Sequence, residues 1–146
     1  METTTSANWI VWALLSAVFA AATAILAKIG LEGVDSDYAT LVRTIVIGVV
    51  LGLLVAVTGK WRSPATVPPR ALLFLTLSGL ATGASWICYF RALKIGEASR
   101  VAPVDKLSVV LVAVFAVIVL GERPAVKDWA GIGLVGAGVL LLSLKR

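Results

Sequence analysis

Five long apolar runs, at about 9–27, 38–57, 71–90, 101–120 and 129–144, alternate with short polar connections along the 146 residues. A hydrocarbon layer about 30 Å thick takes about 20 apolar residues to cross as a helix, and each run approaches that length. The runs are too long for barrel strands and lack two-residue alternation, and an open sheet edge cannot be satisfied in lipid. The pattern predicts an all-α integral membrane protein with five transmembrane helices, one domain over residues 1–146, and the lipid bilayer as its first partner.

The connections carry residues that suit the membrane surface. Gly59, Pro64, Pro68 and Pro69 make 58–70 an irregular segment outside the hydrocarbon, and Pro124 breaks the chain between the last two runs. Trp9, Trp61 and Trp129 fall at run ends, where an amphipathic indole prefers the headgroup region. Small residues recur at Gly48 and Gly52, at Gly79 and Gly83, at Gly133 and Ala137, and at Ala13, Ala17 and Ala21. Such stripes let membrane helices approach closely, although glycine is also simply common in them.

Composition agrees: 60% of the residues are hydrophobic, against about 45 to 50% in a soluble domain. The mean hydropathy is +1.00. The net charge of +5 comes from basic residues in the connections, which reads as headgroup contact and not as a nucleic-acid surface. One cysteine, Cys88, excludes an internal disulfide, and with no histidine in the chain no metal site is expected. The first run has small residues Ala20, Ala22 and Ala24 behind it, as a cleaved signal would. No basic residue precedes Lys28, Glu2 makes the leading tail slightly acidic, and the run is too long for a signal core, so a retained helix is expected.

Basic residues orient the helices only weakly. Lys28, Arg91, Lys94, Arg100, Lys145 and Arg146 fall on one side, and Lys60, Arg62, Arg70, Arg123 and Lys127 on the other, which is six against five. Adding Arg43 and Lys106 to the first side makes eight against five, a bias toward a cytoplasmic C-terminus. So near a balance is what insertion in both orientations requires, while the residual bias argues for a fixed one.

Three charged residues lie within apolar runs, where insertion costs about 2.5 to 3.5 kcal/mol each. Arg43 stands about 8 Å inside its run, so its stem can snorkel to the headgroups, or it lines a wet cavity. Asp105 follows Pro103, which suits the first position of a helix, and its carboxylate would then meet the positive end of the helix dipole. Lys106 gains nothing from that dipole, and adjacent helical residues point to different faces, so a wet cavity or a partner on another helix explains it better. Trp86 and Tyr89 are amphipathic aromatics within the third run. Three positions apart, they share a helix face and are candidates for a cavity wall, with core packing as the alternative.

The stretch 89–123, YFRALKIGEASRVAPVDKLSVVLVAVFAVIVLGER, resembles the EamA domain of the drug/metabolite transporter superfamily. The resemblance lies in a third helix ending near an Ala-Leu pair, a small-residue loop, a proline (Pro103) opening the fourth helix, and a closing Leu-Gly-Glu (Leu120, Gly121, Glu122). A tryptophan and a Gly-rich fifth helix follow, at Trp129 to Gly138, and Lys28 and Arg43 sit where that family often places basic residues. Most such proteins carry two five-helix units in tandem, so the resemblance implies that this chain is half of a ten-helix inverted-repeat transporter. A homodimer, antiparallel if its axis lies in the membrane plane, would restore the geometry. A second resemblance, to the small multidrug resistance family, implies that short chains can transport as antiparallel dimers. This chain lacks the carboxylate those proteins place deep in their first helix, so their proton-for-cation exchange is not carried over.

The function expected is secondary transport or export of a small metabolite or drug by alternating access, across a bacterial-type inner membrane. Lys28, Arg43 and Lys106 favour a zwitterionic, anionic or neutral substrate over a lipophilic cation. Asp105, Lys106, Arg43, Trp86, Tyr89 and Lys28 are the candidates for cavity or coupling roles, and Pro103, Gly121 and Glu122 for structural ones. No cofactor is expected, and no nucleophile with a base or phosphate loop suggests an enzyme. The glycines of 131–138 mimic a dinucleotide fingerprint but follow no strand. Two alternatives remain: a flippase or flippase subunit for a lipid-linked sugar, and a non-transporting partner of another membrane protein.

Overall fold

The computed structural model describes residues 3–144, so Glu2, Lys145 and Arg146 of the charge balance lie outside the described residues. Its helices are α1 (Thr3–Gly30), α2 (Ser36–Val57), α3 (Pro69–Ile95), α4 (Ala98–Asp105), α5 (Leu107–Phe115) and α6 (Val126–Ser143). A π-helical turn, Ala116–Leu120, continues α5, so α4, α5 and that turn make one interrupted span. Among the described residues, five segments are long and apolar enough to cross a membrane: Trp9–Gly30, Ser36–Val57, Pro69–Ile95, Ala98–Leu120 and Val126–Ser143.

These helices outrun the apolar stretches because hydropathy marks the hydrocarbon and not the end of the hydrogen-bonded ladder. The third continues through the polar residues Arg91 and Lys94 and ends at Ile95, ahead of Gly96. The fourth begins at Ala98 and not at 101, which moves Pro103 from the expected first position to the interior of α4. The fifth begins at Val126, where Asp128 Oδ2 accepts from the Ala125 N–H at 2.8 Å and satisfies one open donor of the first turn.

The helix ends have specific chemistry. Asp35 precedes α2, and its carboxylate accepts from the Asp37 and Tyr38 N–H groups at 2.9 and 3.1 Å. At the other end of α2, Gly59 adopts φ +64, Lys60 N–H reaches Val55 O at 3.0 Å and Gly59 N–H reaches Ala56 O at 3.1 Å. That pairing closes the helix through a left-handed residue and requires glycine. The irregular connection contains a single 3-10 turn, Pro64–Thr66, before Pro69 opens α3.

Two compact units make up the chain: Leu26–Ile95, and the chain up to Ile25 together with that from Gly96 onward. In the first, α2 packs along α3, and Leu31, Thr40, Phe90 and Leu93 are buried toward one end of the pair. In the second, α6 packs against α4 and α5, and Ala24 and Val139 are buried. The glycine stripes do not bring helices together as expected. A Cβ built on Gly48, Gly52, Gly79, Gly83 or Gly133 would meet nothing within 4 Å, whereas one on Gly136 would touch Val110 Cγ2 at 3.4 Å.

Candidate functional site

Within the unit Leu26–Ile95, polar side chains form layers that descend from the end of the α2–α3 pair. At the outermost layer Arg91 grips Asp37 with two hydrogen bonds, Nε to Oδ1 at 2.9 Å and Nη2 to Oδ2 at 2.6 Å. This bidentate pair is exposed, so it orients the helix ends more than it stabilises them. Next to it two lysines exchange helix ends. Lys28, in the last turn of α1, donates to Leu93 O at 2.7 Å, and Lys94, in the last turn of α3, donates to Leu31 O at 2.7 Å and Val34 O at 2.6 Å. Leu93 O lies in the last turn of α3, where carbonyls lack intrahelical donors and carry partial negative charge, whereas Leu31 O and Val34 O belong to the turn between α1 and α2. Lys28, a candidate for the cavity, is therefore fastened to the backbone of α3.

Deeper in the same unit, the guanidinium carbon of Arg43 lies 4.3 Å from the centroid of the Trp86 ring and 5.3 Å from that of Phe90. Trp86 and Phe90 are four residues apart on α3 and so share the face that α2 covers. Tyr89 meets Phe90 edge to face, with centroids 6.3 Å apart and rings inclined at 62°. The sequence singles out Arg43, Trp86 and Tyr89 but misses Phe90, Asp37 and the Lys28–Lys94 exchange. The exchange is signalled only by a basic residue in the last turn of α1 and of α3, a pattern that the headgroups alone explain.

In the other unit the fourth span is interrupted where the sequence places Asp105 and Lys106. Pro103 supplies no N–H, so the ladder of α4 loses a donor, and Lys106, at φ −72 and ψ −4, ends α4 and precedes α5. The Lys106 N–H turns to Pro103 O at 2.9 Å, and Val109 N–H to Lys106 O at 3.0 Å, both tighter than α-helical bonds. Because the backbone departs from the helix there, the neighbours do not diverge: Lys106 Nζ lies 3.3 Å from Asp105 Oδ2. Asp105 is half-buried and Lys106 exposed. At the end of this span Gly121 takes φ +69 and the Glu122 N–H reaches Ala116 O at 3.2 Å, which gives the glycine of the Leu-Gly-Glu sequence a conformational reason. No group of three or more His, Cys, Asp or Glu able to hold a metal occurs among the described residues.

The EamA-like transporter family matches residues 7–144. An uncharacterized transporter in the cobO 3′ region of Sinorhizobium sp is similar to the chain, with 56% identity over 139 residues, covering 95% of this chain and 99% of the relative. No solved structure gives a significant match. With five membrane-spanning helices and a match over nearly its whole length, the chain belongs to the EamA-like transporter family.

Proposed function

We propose that the protein is a secondary transporter of a small metabolite or drug that works by alternating access. One observation carries the reading beyond family membership: the fourth apolar span is interrupted at Lys106, and a carboxylate and an ammonium sit at the interruption. Transporters tolerate irregular backbone at that depth where it lines a cavity, and ionisable side chains in spans mark solute or ion pathways. The description of the Sinorhizobium relative as a transporter supports the same class.

Two copies related by an axis in the membrane plane supply the second half of the pathway in this reading. Its support is the odd number of spans, the near balance of basic residues, and glycines whose open faces leave room for a second copy. The reaction has no chemical step, Asp105 is its coupling group, and its membrane is a bacterial-type inner membrane.

Uptake into proteoliposomes tests the function. The purified protein is expected to raise flux of a zwitterionic, anionic or neutral solute in a mixed metabolite pool. Movement of a labelled lipid-linked sugar with no solute flux would establish a flippase instead, and absence of both would leave a partner protein.

A further inference from the structure

We infer that Arg43, seated on Trp86 and Phe90, is a binding site for the oxyanion group of a small organic acid. The inference rests on the transport reading in one respect only, that the acid is the transported solute. Arg43 stands about 10 Å along α2 from Ser36, and Trp86 about 13 Å back along α3 from Ile95. At that depth the guanidinium has not extended outward to the polar layer. It lies against aromatic rings instead, at 4.3 and 5.3 Å.

None of the three carboxylates within this unit hydrogen-bonds to it: both oxygens of Asp37 are held by Arg91, Asp35 caps α2, and Glu32 is exposed in the turn after α1. Among the described residues no acceptor hydrogen-bonds to the Arg43 guanidinium. Ring faces compensate a cation only in part and leave its N–H donors unused. A forked donor with full positive charge on an apolar wall is suited to a carboxylate or phosphate, which accepts two parallel hydrogen bonds. The rings of Trp86 and Phe90 give the hydrocarbon body of an organic acid a surface to lie on.

A carboxylate of a solute and a phosphate of a lipid share this chemistry, and the test separates them. Purified protein in phospholipid-free detergent micelles at constant ionic strength is titrated with lactate and benzoate, with the matching amides, and with short-chain phosphatidylglycerol, while thermal unfolding is followed. Ligand binding to the folded state raises the midpoint with saturation. Carboxylates are expected to raise it and amides to leave it unchanged. Arg43→Gln should weaken the apparent carboxylate affinity by about tenfold to a hundredfold, the range for a charge-assisted bidentate contact.

Should Arg43→Gln fail to fold, Arg43→Lys, which keeps the charge and loses the fork, should weaken it by about tenfold. Equal carboxylate shifts in the wild type and both variants, or none in any, would overturn the site. An Arg43-dependent shift with phosphatidylglycerol alone would overturn the solute assignment. Micelles have no two sides, so binding without proteoliposome flux would refute transport and keep the site. Flux of neutral solutes alone, with no carboxylate shift, would refute the site and keep transport.

Discussion

Arg43 and Trp86 are joined by a cation–π contact of 4.3 Å between two antiparallel neighbours, α2 and α3, with the guanidinium held inside the membrane span and not drawn out to its edge. Such a contact contributes about 0.5 to 2 kcal/mol, the larger value when water is excluded. Arg43→Met and Trp86→Leu should therefore each lower the unfolding midpoint in detergent, and the double variant should lose less than the sum. A coupling energy near zero in that cycle would mean that the two side chains merely share a neighbourhood.

Removing Lys94 strips a charged donor from two carbonyls, Leu31 O and Val34 O, in the turn between α1 and α2. Lys94→Met is expected to cost about 1 to 3 kcal/mol in thermal unfolding, as a lost hydrogen bond to a charged group. Asp37→Asn, at the exposed outer pair, should shift the midpoint less than Lys94→Met. The reverse order would show that the ion pair, and not the lysine exchange, fastens this end.

Gly48 and Gly79 have nothing within 4 Å of where a Cβ would stand, so side chains there are expected to be accommodated by the single chain. Gly48→Leu and Gly79→Leu should keep the monomer's helicity and abolish cross-linking of the proposed dimer in membranes. Gly121→Ala should instead destabilise the chain itself by about 1 to 2 kcal/mol, because φ +69 is unfavourable for any residue with a Cβ. Unchanged cross-linking of both leucine variants would remove these faces from the interface.

Asp105 in the fourth span allows a direct separation of coupling from structure. Asp105→Asn is expected to abolish uptake driven by a pH gradient and to retain exchange of solute between the two sides of a proteoliposome. Full pH-driven uptake by that variant would reduce Asp105 to a residue at a helix break.

Hydropathy made the five spans legible because the bilayer imposes one strong rule on composition. It placed their ends less well: Glu97 and Ala98 are not apolar enough to announce the start of α4, so Pro103 read as a first position when it is an interior one. The charge of Arg43 stood out against its run, since a cation in hydrocarbon demands an explanation. Its second aromatic neighbour did not, because Phe90 is an ordinary apolar residue until α2 lies beside it. The Lys28–Lys94 exchange was hidden for a similar reason. A lysine in a last turn satisfies the headgroups, the helix dipole and a neighbouring carbonyl alike, and only the packing of the helices selects among them.

Alternating access is tested most directly by counterflow. Proteoliposomes loaded with a high concentration of an unlabelled solute found to be transported are diluted into a trace of the labelled form. A carrier that exposes one site to each side in turn predicts transient accumulation of label above its equilibrium level, followed by decay. A monotonic rise to equilibrium, at the same rate with and without internal solute, would contradict the account.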